Sequence, residues 1–312
     1  MKNAHRLTQG AVLLAVFAVL LLISLYVPFL GLVSIWFLPL PFIYIAWKND
    51  LKGIVVFFVA SIFLSFIVGT LFAIPMTFLF GATGIALGYL VQKNKSRTAI
   101  LMISSLVFLM ITLILYGAAV TLFKFNFIAE ATSMLKQAYD ASFEILNATG
   151  QASEANKLKE RLDEMLKLIG TLLPSLFVVG SFINVFLLQL FNFSILKRFG
   201  MNLSHWKPFR ELSLPKSILW YYLITAILTL LLKPDEGSYL YTALWNLAYV
   251  LQILLVIQGL SLVYFISELK GWAKAIPIIA TVFALLLPII LYIIRILGII
   301  DLGFDLRKRL KK

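Results

Sequence analysis

Long hydrophobic runs, separated by short polar turns, dominate this sequence from Ala11 to about Gly298. The hydrocarbon core of a bilayer is about 30 Å thick, and a helix needs about 20 apolar residues to cross it. Short alternating strands, the pattern of a transmembrane barrel, do not occur. The pattern therefore predicts an all-α fold, a polytopic helical membrane protein with about eight to nine transmembrane helices.

The predicted spans are divided by turns that contain proline, glycine or basic residues. In chain order they are about Ala11–Val27, Leu32–Trp47, two spans within Ile54–Val91 that divide near Pro75, Thr98–Phe123, Thr171–Leu196, Pro215–Leu232, Tyr239–Ser267 and Ala275–Gly298. Pro39 and Pro41 lie inside the second span. Because proline removes an amide donor, this span is predicted to be kinked or partly unwound.

One long segment, residues 124–170, is polar instead of apolar. Its later part has Leu158, Leu162, Met165 and Ile169 on one helix face, and a break runs from Asn147 to Gln151. The spacing predicts two amphipathic helices that lie on the membrane surface or over the bundle. We expect this insertion, between the fifth and sixth spans, to belong to a single membrane domain over residues 1–312.

The charge distribution indicates how the chain is oriented. The net charge is +13, which in a soluble protein would indicate nucleic acid. In a membrane protein lysine and arginine collect in cytoplasmic loops and meet anionic lipid, so we expect the bilayer and no nucleic acid as the partner. The basic turns are Lys48–Lys52, Lys93–Arg97, Lys197–Lys216 and Glu268–Lys274.

We expect those turns and the N-terminus to face the cytoplasm, and the segment Lys124–Lys167 and the turn at Asp235 to face outside. Nine simple spans then place the basic tail, Arg307–Lys312, outside, against the same rule. Either the last apolar segment does not cross fully or an earlier division is wrong.

The sequence lacks the residues that the common metal, cofactor and catalytic sites require. The chain has no cysteine and two histidines, His5 and His205, both in polar flanks. It contains no phosphate-binding loop, no zinc-protease motif and no nucleophile elbow. We therefore expect no metal, no cofactor and no enzyme activity. The first apolar run passes into Tyr26 without a small-residue cleavage site, which indicates an uncleaved first span.

Small residues mark two candidate packing faces. Ala11, Ala15 and Ala18 share a face of the first span. Small side chains let another helix approach closely, so this face is a candidate for docking a partner, with ordinary internal packing as the alternative. A second face, in the fourth span, is formed by glycines at positions 81, 84 and 88 and carries the same alternatives.

Polar side chains inside two spans are candidates for ligand binding. In the sixth span Ser181, Asn184 and Asn192 share a face, with Gln189 on its flank; in the eighth, Tyr241, Trp245, Tyr249 and Gln252 share another. Amides in hydrocarbon need partners, so these faces are expected to point into the bundle. They either form a pocket for a small solute, with Asn184 and Gln252 in contact with the same ligand, or bond helices together.

Arg295 is a basic residue well inside an apolar run, and Asp301 and Asp305 follow it. Burying a guanidinium demands an acceptor. We predict that the chain turns at Gly298 and brings Asp301 beneath Arg295, in contact directly or through one water, with the tail from Asp305 onwards at the membrane surface. If the helix instead continues past Gly298, Asp305 can pair with Arg309 one turn later. The alternative is that Arg295 reaches the interface alone.

Two sets of residues carry resemblances to known families. The opening, with Ala11, Ala15 and Ala18, Pro28-Phe29-Leu30-Gly31 and Leu38-Pro39-Leu40-Pro41, resembles the S components of energy-coupling-factor transporters. These capture vitamins or metal ions, and their alanine face docks an energising module. The ending, with Arg295, Gly298, Asp301, Asp305 and Arg307 after Arg210 and Leu214-Pro215, resembles the YybS family of bacterial membrane proteins, which is distantly similar to S components.

The resemblances imply a multi-pass protein of the bacterial cell (inner) membrane. One hypothesis is a solute-binding subunit that holds an unknown small solute and depends on an energising membrane module. The other is a regulator or scaffold that binds another membrane or cytoplasmic protein without transport.

Overall fold

Helices make up most of the computed structural model, which describes residues 2–149, 152–204 and 206–310 and contains no strand within those ranges. The all-α prediction is confirmed. Twelve α-helices follow one another: α1 Lys2–Tyr26, α2 Leu30–Ser34, α3 Leu40–Lys48, α4 Leu51–Gln92, α5 Arg97–Leu122, α6 Phe127–Ala148, α7 Ala152–Arg198, α8 Ser217–Leu232, α9 Tyr239–Leu269, α10 Ala275–Leu286, α11 Pro288–Phe304 and α12 Leu306–Leu310. Single 3₁₀ turns occur at Ile35–Phe37 and Phe209–Glu211.

Within the described ranges, seven segments are long and apolar enough to cross a bilayer, and the bent pair α10–α11 raises the number to eight if it is one span. The prediction was about eight to nine. Helix α8 is shorter, since 16 residues reach only about 24 Å. The chain is therefore a polytopic membrane protein.

Helix α4 doubles back on itself. The hydroxyls of Ser65 and Thr77 lie 2.5 Å apart, and the rings of Phe58 and Phe78 are 5.5 Å apart. In a straight helix, residues twelve positions apart would be separated by about 18 Å. The two predicted spans within this segment, divided near Pro75, are confirmed as Leu51–Gly69 and Ala73–Gln92.

The second predicted span is broken, as its prolines indicate. It consists of α2, the 3₁₀ turn Ile35–Phe37 and α3, with Pro39 just before α3 and Pro41 in its first turn. Helix α3 packs closely on the glycine face of α4, where a Cβ atom at Gly88 would lie 2.2 Å from the carbonyl oxygen of Ile43. That face is therefore used for internal packing.

The polar insertion forms α6, which ends at Ala148 inside the predicted break, and the first part of α7; Gly150 and Gln151 of that break lie outside the described residues. The second amphipathic helix and the sixth span, predicted as separate elements, are one helix of 47 residues. It passes through Pro174, and a side chain of α9 supports it there. Asn246 accepts a hydrogen bond from the Ser175 amide at 2.8 Å and donates one to the Thr171 carbonyl at 2.7 Å, so it bridges the interrupted helical ladder.

The chain divides into two compact units, Met1–Ala141 with Phe177–Trp206, and Ser142–Leu176 with Lys207–Lys312. The prediction of a single domain stays a prediction. The first unit holds α1 to α5, most of α6 and the later part of α7, around a core that includes Phe17, Phe42 and Leu188. The second holds the end of α6, the beginning of α7 and α8 to α12.

In the second unit the last apolar segment does not cross. The chain bends by 117° between α10 and α11, just before Pro288. Glu268, before α10, forms an ion pair with Arg210, and Arg307, after α11, donates to the Arg210 carbonyl at 2.8 Å. Both ends of the pair therefore lie at the end of the unit that carries the basic loop, which removes the conflict over the basic tail.

Candidate functional site

Helices α5 and α7 run antiparallel beside each other in the first unit. The guanidinium of Arg97, at the start of α5, lies 4.9 Å from the ring centroid of Phe193, near the end of α7. At the other end, the rings of Tyr116 and Phe177 are 5.8 Å apart. These two contacts fix the register of the helices over about five turns.

Buried polar atoms occur on both of these helices. Among the described residues, no hydrogen-bond partner is found for Arg97 Nε, Ser104 Oγ, Ser105 Oγ or either amide atom of Gln189. Gln189 is 1% exposed and Arg97 8% exposed. Buried polar atoms in proteins almost always have partners, because an unmade hydrogen bond costs about 1–3 kcal/mol.

These atoms lie at neighbouring levels. Gln189 is about one turn from Phe193, and Ser104 and Ser105 are about two turns from Arg97 on the facing helix, so the register places the hydroxyls within about 5 Å of the level of the amide. We call Arg97, Ser104, Ser105, Gln189 and Asn192 the α5–α7 polar seam. It offers a cationic donor, two hydroxyls and two amides.

The two asparagines predicted on α7 have different partners. Asn192 is fully buried, and its Nδ2 donates to the Trp36 carbonyl at 2.9 Å and to the Leu188 carbonyl at 2.8 Å. Its Oδ1 has no described partner. Asn184 is half-buried and donates to the Gly180 carbonyl of its own helix at 2.8 Å. Asn192 thus ties α7 to the turn before α3 and keeps one acceptor free.

The other predicted ligand residues lie in the second unit. Gln252 of α9 accepts a hydrogen bond from Arg295 Nη1 at 2.7 Å, and the Arg295 guanidinium lies 4.6 Å from the ring centroid of Tyr292. Tyr249 is half-buried on α9, one turn earlier. The pocket predicted to join Asn184 and Gln252 would involve both units, and it stays a prediction.

The predicted Arg295–Asp301 interaction is wrong. Asp301 accepts hydrogen bonds from Gln258 Nε2 at 2.5 Å and from Arg307 Nε at 2.9 Å, with its side chain 3% exposed. The chain does not turn at Gly298, because α11 continues to Phe304. Six residues along a continuous helix place the two side chains on different faces.

The reason that α11 stays helical is its packing on α9. A Cβ atom at Gly298 would lie 2.0 Å from the carbonyl oxygen of Leu255, and one at Gly259 would lie 1.9 Å from that of Ile294. The two glycines let the backbones touch, and the turn expected at Gly298 is made instead before Pro288.

Asp305 also has a different partner from the one considered for a helix that continues past Gly298. It ends α11 in a left-handed conformation and pairs with Lys216 at 2.5 Å, not with Arg309. The hydrogen bond from Lys216 holds the pKa of the Asp305 carboxyl below its usual value. The tail is thereby attached to the basic loop.

The alanine face of α1 lies at the surface of the first unit. Ala11 and Ala15 are exposed and Ala18 is half-buried, whereas Phe17 and Leu21 on the other side are fully buried. Internal packing therefore does not account for Ala11 and Ala15 within the described part of the chain.

Sequence reasoning missed most of the α5–α7 polar seam. Arg97 was assigned to a polar turn, and Gln189 to the flank of its helix. The adjacent Ser104 and Ser105 in the middle of an apolar run were the available signal, because paired hydroxyls are unusual at that depth.

The histidines give no candidate metal site. The whole of His205 and the side chain of His5 lie outside the described residues. In the remainder no group of three acidic or histidine side chains is close enough to hold a metal ion.

Comparison with known proteins gives a family. A curated relative, "Uncharacterized protein YybS" of Bacillus subtilis (strain 168), is 31% identical over 312 residues, which is the full length of both chains. No solved structure matches. Residues 15–302 match the family described as "Predicted membrane protein (DUF2232)". The chain, with its helical spans and its buried polar side chains, belongs to this DUF2232 family of membrane proteins.

Proposed function

We propose that this protein is a solute-binding membrane subunit that holds a small polar molecule in the α5–α7 polar seam. The observation that carries the proposal is Gln189, whose amide is 1% exposed and has no hydrogen-bond partner at either atom among the described residues. Such a group is stable in a membrane interior only if something supplies the missing bonds.

The types of free atom indicate what the ligand needs. Gln189 Nε2 and Arg97 Nε are donors, Asn192 Oδ1 and Gln189 Oε1 are acceptors, and a serine hydroxyl acts as either. A solute with both donors and acceptors on a compact frame satisfies this set. The proposal involves binding without chemical conversion, as in the S components that the opening of the chain resembles.

The proposed membrane and the proposed partner follow from that resemblance. The protein would lie in the bacterial inner membrane and depend on a separate energising membrane module. The exposed residues Ala11 and Ala15 of α1 are the proposed docking face for that module.

Gln189→Met tests the binding site. Methionine has a similar volume and no need for hydrogen bonds, so the variant should lose the ligand and should raise the thermal midpoint of the ligand-free protein. The measurement is native mass spectrometry of the purified protein, for retained small molecules, with thermal unfolding in detergent.

Ser194→Ala is the matched control. Ser194 lies on the same helix, is exposed and donates only to the Leu190 carbonyl of its own helix. It should keep both the ligand and the midpoint. A wild-type protein without a retained molecule, and a Gln189→Met variant that is merely less stable, would together overturn the proposal.

The alternative is a regulator or scaffold that binds another protein without transport. The observation in its favour is the same exposed alanine face, which fits a partner helix of any function. A retained protein partner without a small molecule in native mass spectrometry would favour it.

A further inference from the structure

A groove of about 420 Å³ lies between α8 and α9 in the second unit. Its lining includes Tyr222, Thr229 and Lys233 from the α8 side and Trp245, Ala248 and Gln252 from α9. The volume falls in the range typical of small-molecule sites, about 300–1,000 Å³. Apart from Lys233 the lining is uncharged, and most of it is apolar.

A cation lies directly behind one wall of this groove. Arg295 donates from Nη1 to Oε1 of Gln252 at 2.7 Å, and Gln252 lines the groove. Arg295 forms no ion pair with any residue that the structure describes, since the acid nearest in the chain, Asp301, is bonded to Gln258 and Arg307. Among the described residues its charge is met by the Gln252 amide and the Tyr292 ring, and by no acid.

The bond to Arg295 determines how Gln252 is oriented. A guanidinium has only donors, so the amide must present its oxygen to Arg295 and its nitrogen elsewhere. Gln252 Nε2 has no hydrogen bond to a described residue. Polarisation by the guanidinium makes this N–H a stronger donor, so the amide transmits positive potential towards the groove.

The position of Arg295 argues against simple snorkelling. It lies about ten residues, or about 15 Å, before Asp305 at the end of α11, and its side chain is held against α9 by Gln252. A charge at such a depth usually pairs with another group or belongs to a ligand pathway.

We propose that this groove binds a small organic monoanion with an apolar body, such as a medium-chain carboxylate. The carboxylate accepts from Gln252 Nε2, and Arg295 behind the wall supplies the compensating positive charge. The apolar body lies along Trp245 and Ala248. Lys233 lies at the end of the groove near the α8–α9 turn and attracts the anion, while the neighbouring Glu236 is paired with Lys167. This site is independent of the α5–α7 polar seam.

The absence of cysteine makes a direct test practicable. Ala248→Cys in the otherwise unchanged protein, in detergent, is alkylated with N-ethylmaleimide in the presence of octanoate or of 1-octanol. Octanoate at about ten times its dissociation constant should slow alkylation about tenfold, because bound ligand shields the thiol. The neutral alcohol, of equal length, should have little effect.

Gln252→Glu, added to Ala248→Cys, removes the anion site without leaving a buried charge unpaired. The new carboxylate pairs with Arg295, so the protein should fold while octanoate protection disappears. Arg295→Lys should keep part of the protection, because the charge remains. Arg309→Gln, in the exposed tail, is the control and should keep all of it.

Three results would overturn the proposal. They are equal protection by octanol and octanoate, no protection by octanoate, and octanoate protection that survives Gln252→Glu. Loss of this site leaves the retention of a solute by Gln189 unaffected, so the two proposals fail separately.

Discussion

Single amide side chains stabilise the positions at which the backbone hydrogen bonds of these helices are interrupted. Asn246 is the clearest example, because it bonds both to the Ser175 amide and to the Thr171 carbonyl at the break that Pro174 makes in α7. Nothing in the sequence pairs Asn246 with Pro174, since the two are about 70 positions apart. The sequence predicts that an amide in a span needs a partner, and only the fold determines which one.

Asn246→Leu should destabilise the protein by about 1–3 kcal/mol, because it leaves a backbone donor and a backbone acceptor unpaired in the interior. Thermal or denaturant unfolding in detergent measures the loss. Asn184→Leu is the matched control, since its described hydrogen bond is within its own helix, and it should change stability little. Equal losses in the two variants would contradict the bridging role.

The buried pair Asp301–Arg307 gives a second prediction at this scale. The side chains are 3% and 15% exposed, so removing either partner should cost about 3–5 kcal/mol. Asp301→Asn and Arg307→Gln combined should cost much less than the sum of the single changes. In the double-mutant cycle of Asp301→Asn and Arg295→Leu, the two losses of stability should be close to additive, because these residues share no bond. Strong coupling to Arg295 instead of Arg307 would be evidence against the observed pairing.

At the scale of elements, sequence pattern predicted where helices exist better than where they end or meet. The fold-back near Pro75 and the broken second span follow from proline chemistry alone. The continuity of α7 through Pro174 was not predictable, because it depends on a side chain from α9. The bend of α10–α11 was not located, since a run of apolar length from Ala275 to Gly298 looks like a full span, although the basic tail had left a segment that does not cross fully as one of two alternatives.

The crossing of α9 and α11 should be intolerant of any added atom. Gly298→Ala would place a methyl group about 2.0 Å from the Leu255 carbonyl and should separate the helices, lowering the thermal midpoint strongly. Gly303→Ala is the control on the same helix, where the new Cβ would meet Leu219 Cδ2 at an ordinary 3.5 Å. A Gly298→Ala protein as stable as Gly303→Ala would show that the crossing is loose.

Helix α1 offers a test of docking at the same scale. Ala15→Trp should abolish co-purification of a partner while the protein remains inserted and folded, because a bulky ring separates two backbones that small residues allow to meet. Val16→Trp, also exposed but turned about 100° around the helix, should leave the partner bound. A partner that co-purifies equally with both variants does not use the alanine face.

At the scale of the whole molecule, two ion pairs decide which segments lie together. Arg210–Glu268 and Lys216–Asp305 hold the basic loop, the turn after α9 and the tail at one end of the second unit. The charge pattern alone predicted that the loop and the turn share a side, and it failed for the tail because a half-crossing segment has no distinct hydropathy. The two-unit division could not be predicted either, since apolar runs in lipid-exposed and in buried positions look alike.

Topology gives the prediction at this scale. We expect the basic loop in the cytoplasm and the polar insertion outside. Single cysteines at Ser204 and Ser153, both exposed, can be placed in this cysteine-free chain. An impermeant maleimide on intact cells should label position 153 and leave 204 unlabelled until the membrane is opened. The reverse pattern would refute the orientation.

The bent pair α10–α11 also affects the order of assembly during synthesis. A segment that enters and returns cannot be released into lipid as a finished span, so it has to wait beside α9 until its backbone meets Gly259. Asp301 has two described partners, Gln258 of α9 and Arg307 just beyond the end of α11, so its carboxylate is fully satisfied only when the residues after α11 are also in place. A chain interrupted before Arg307 would leave this buried acid without its cation, and we expect quality-control proteases to remove such a chain faster than one that contains Arg307.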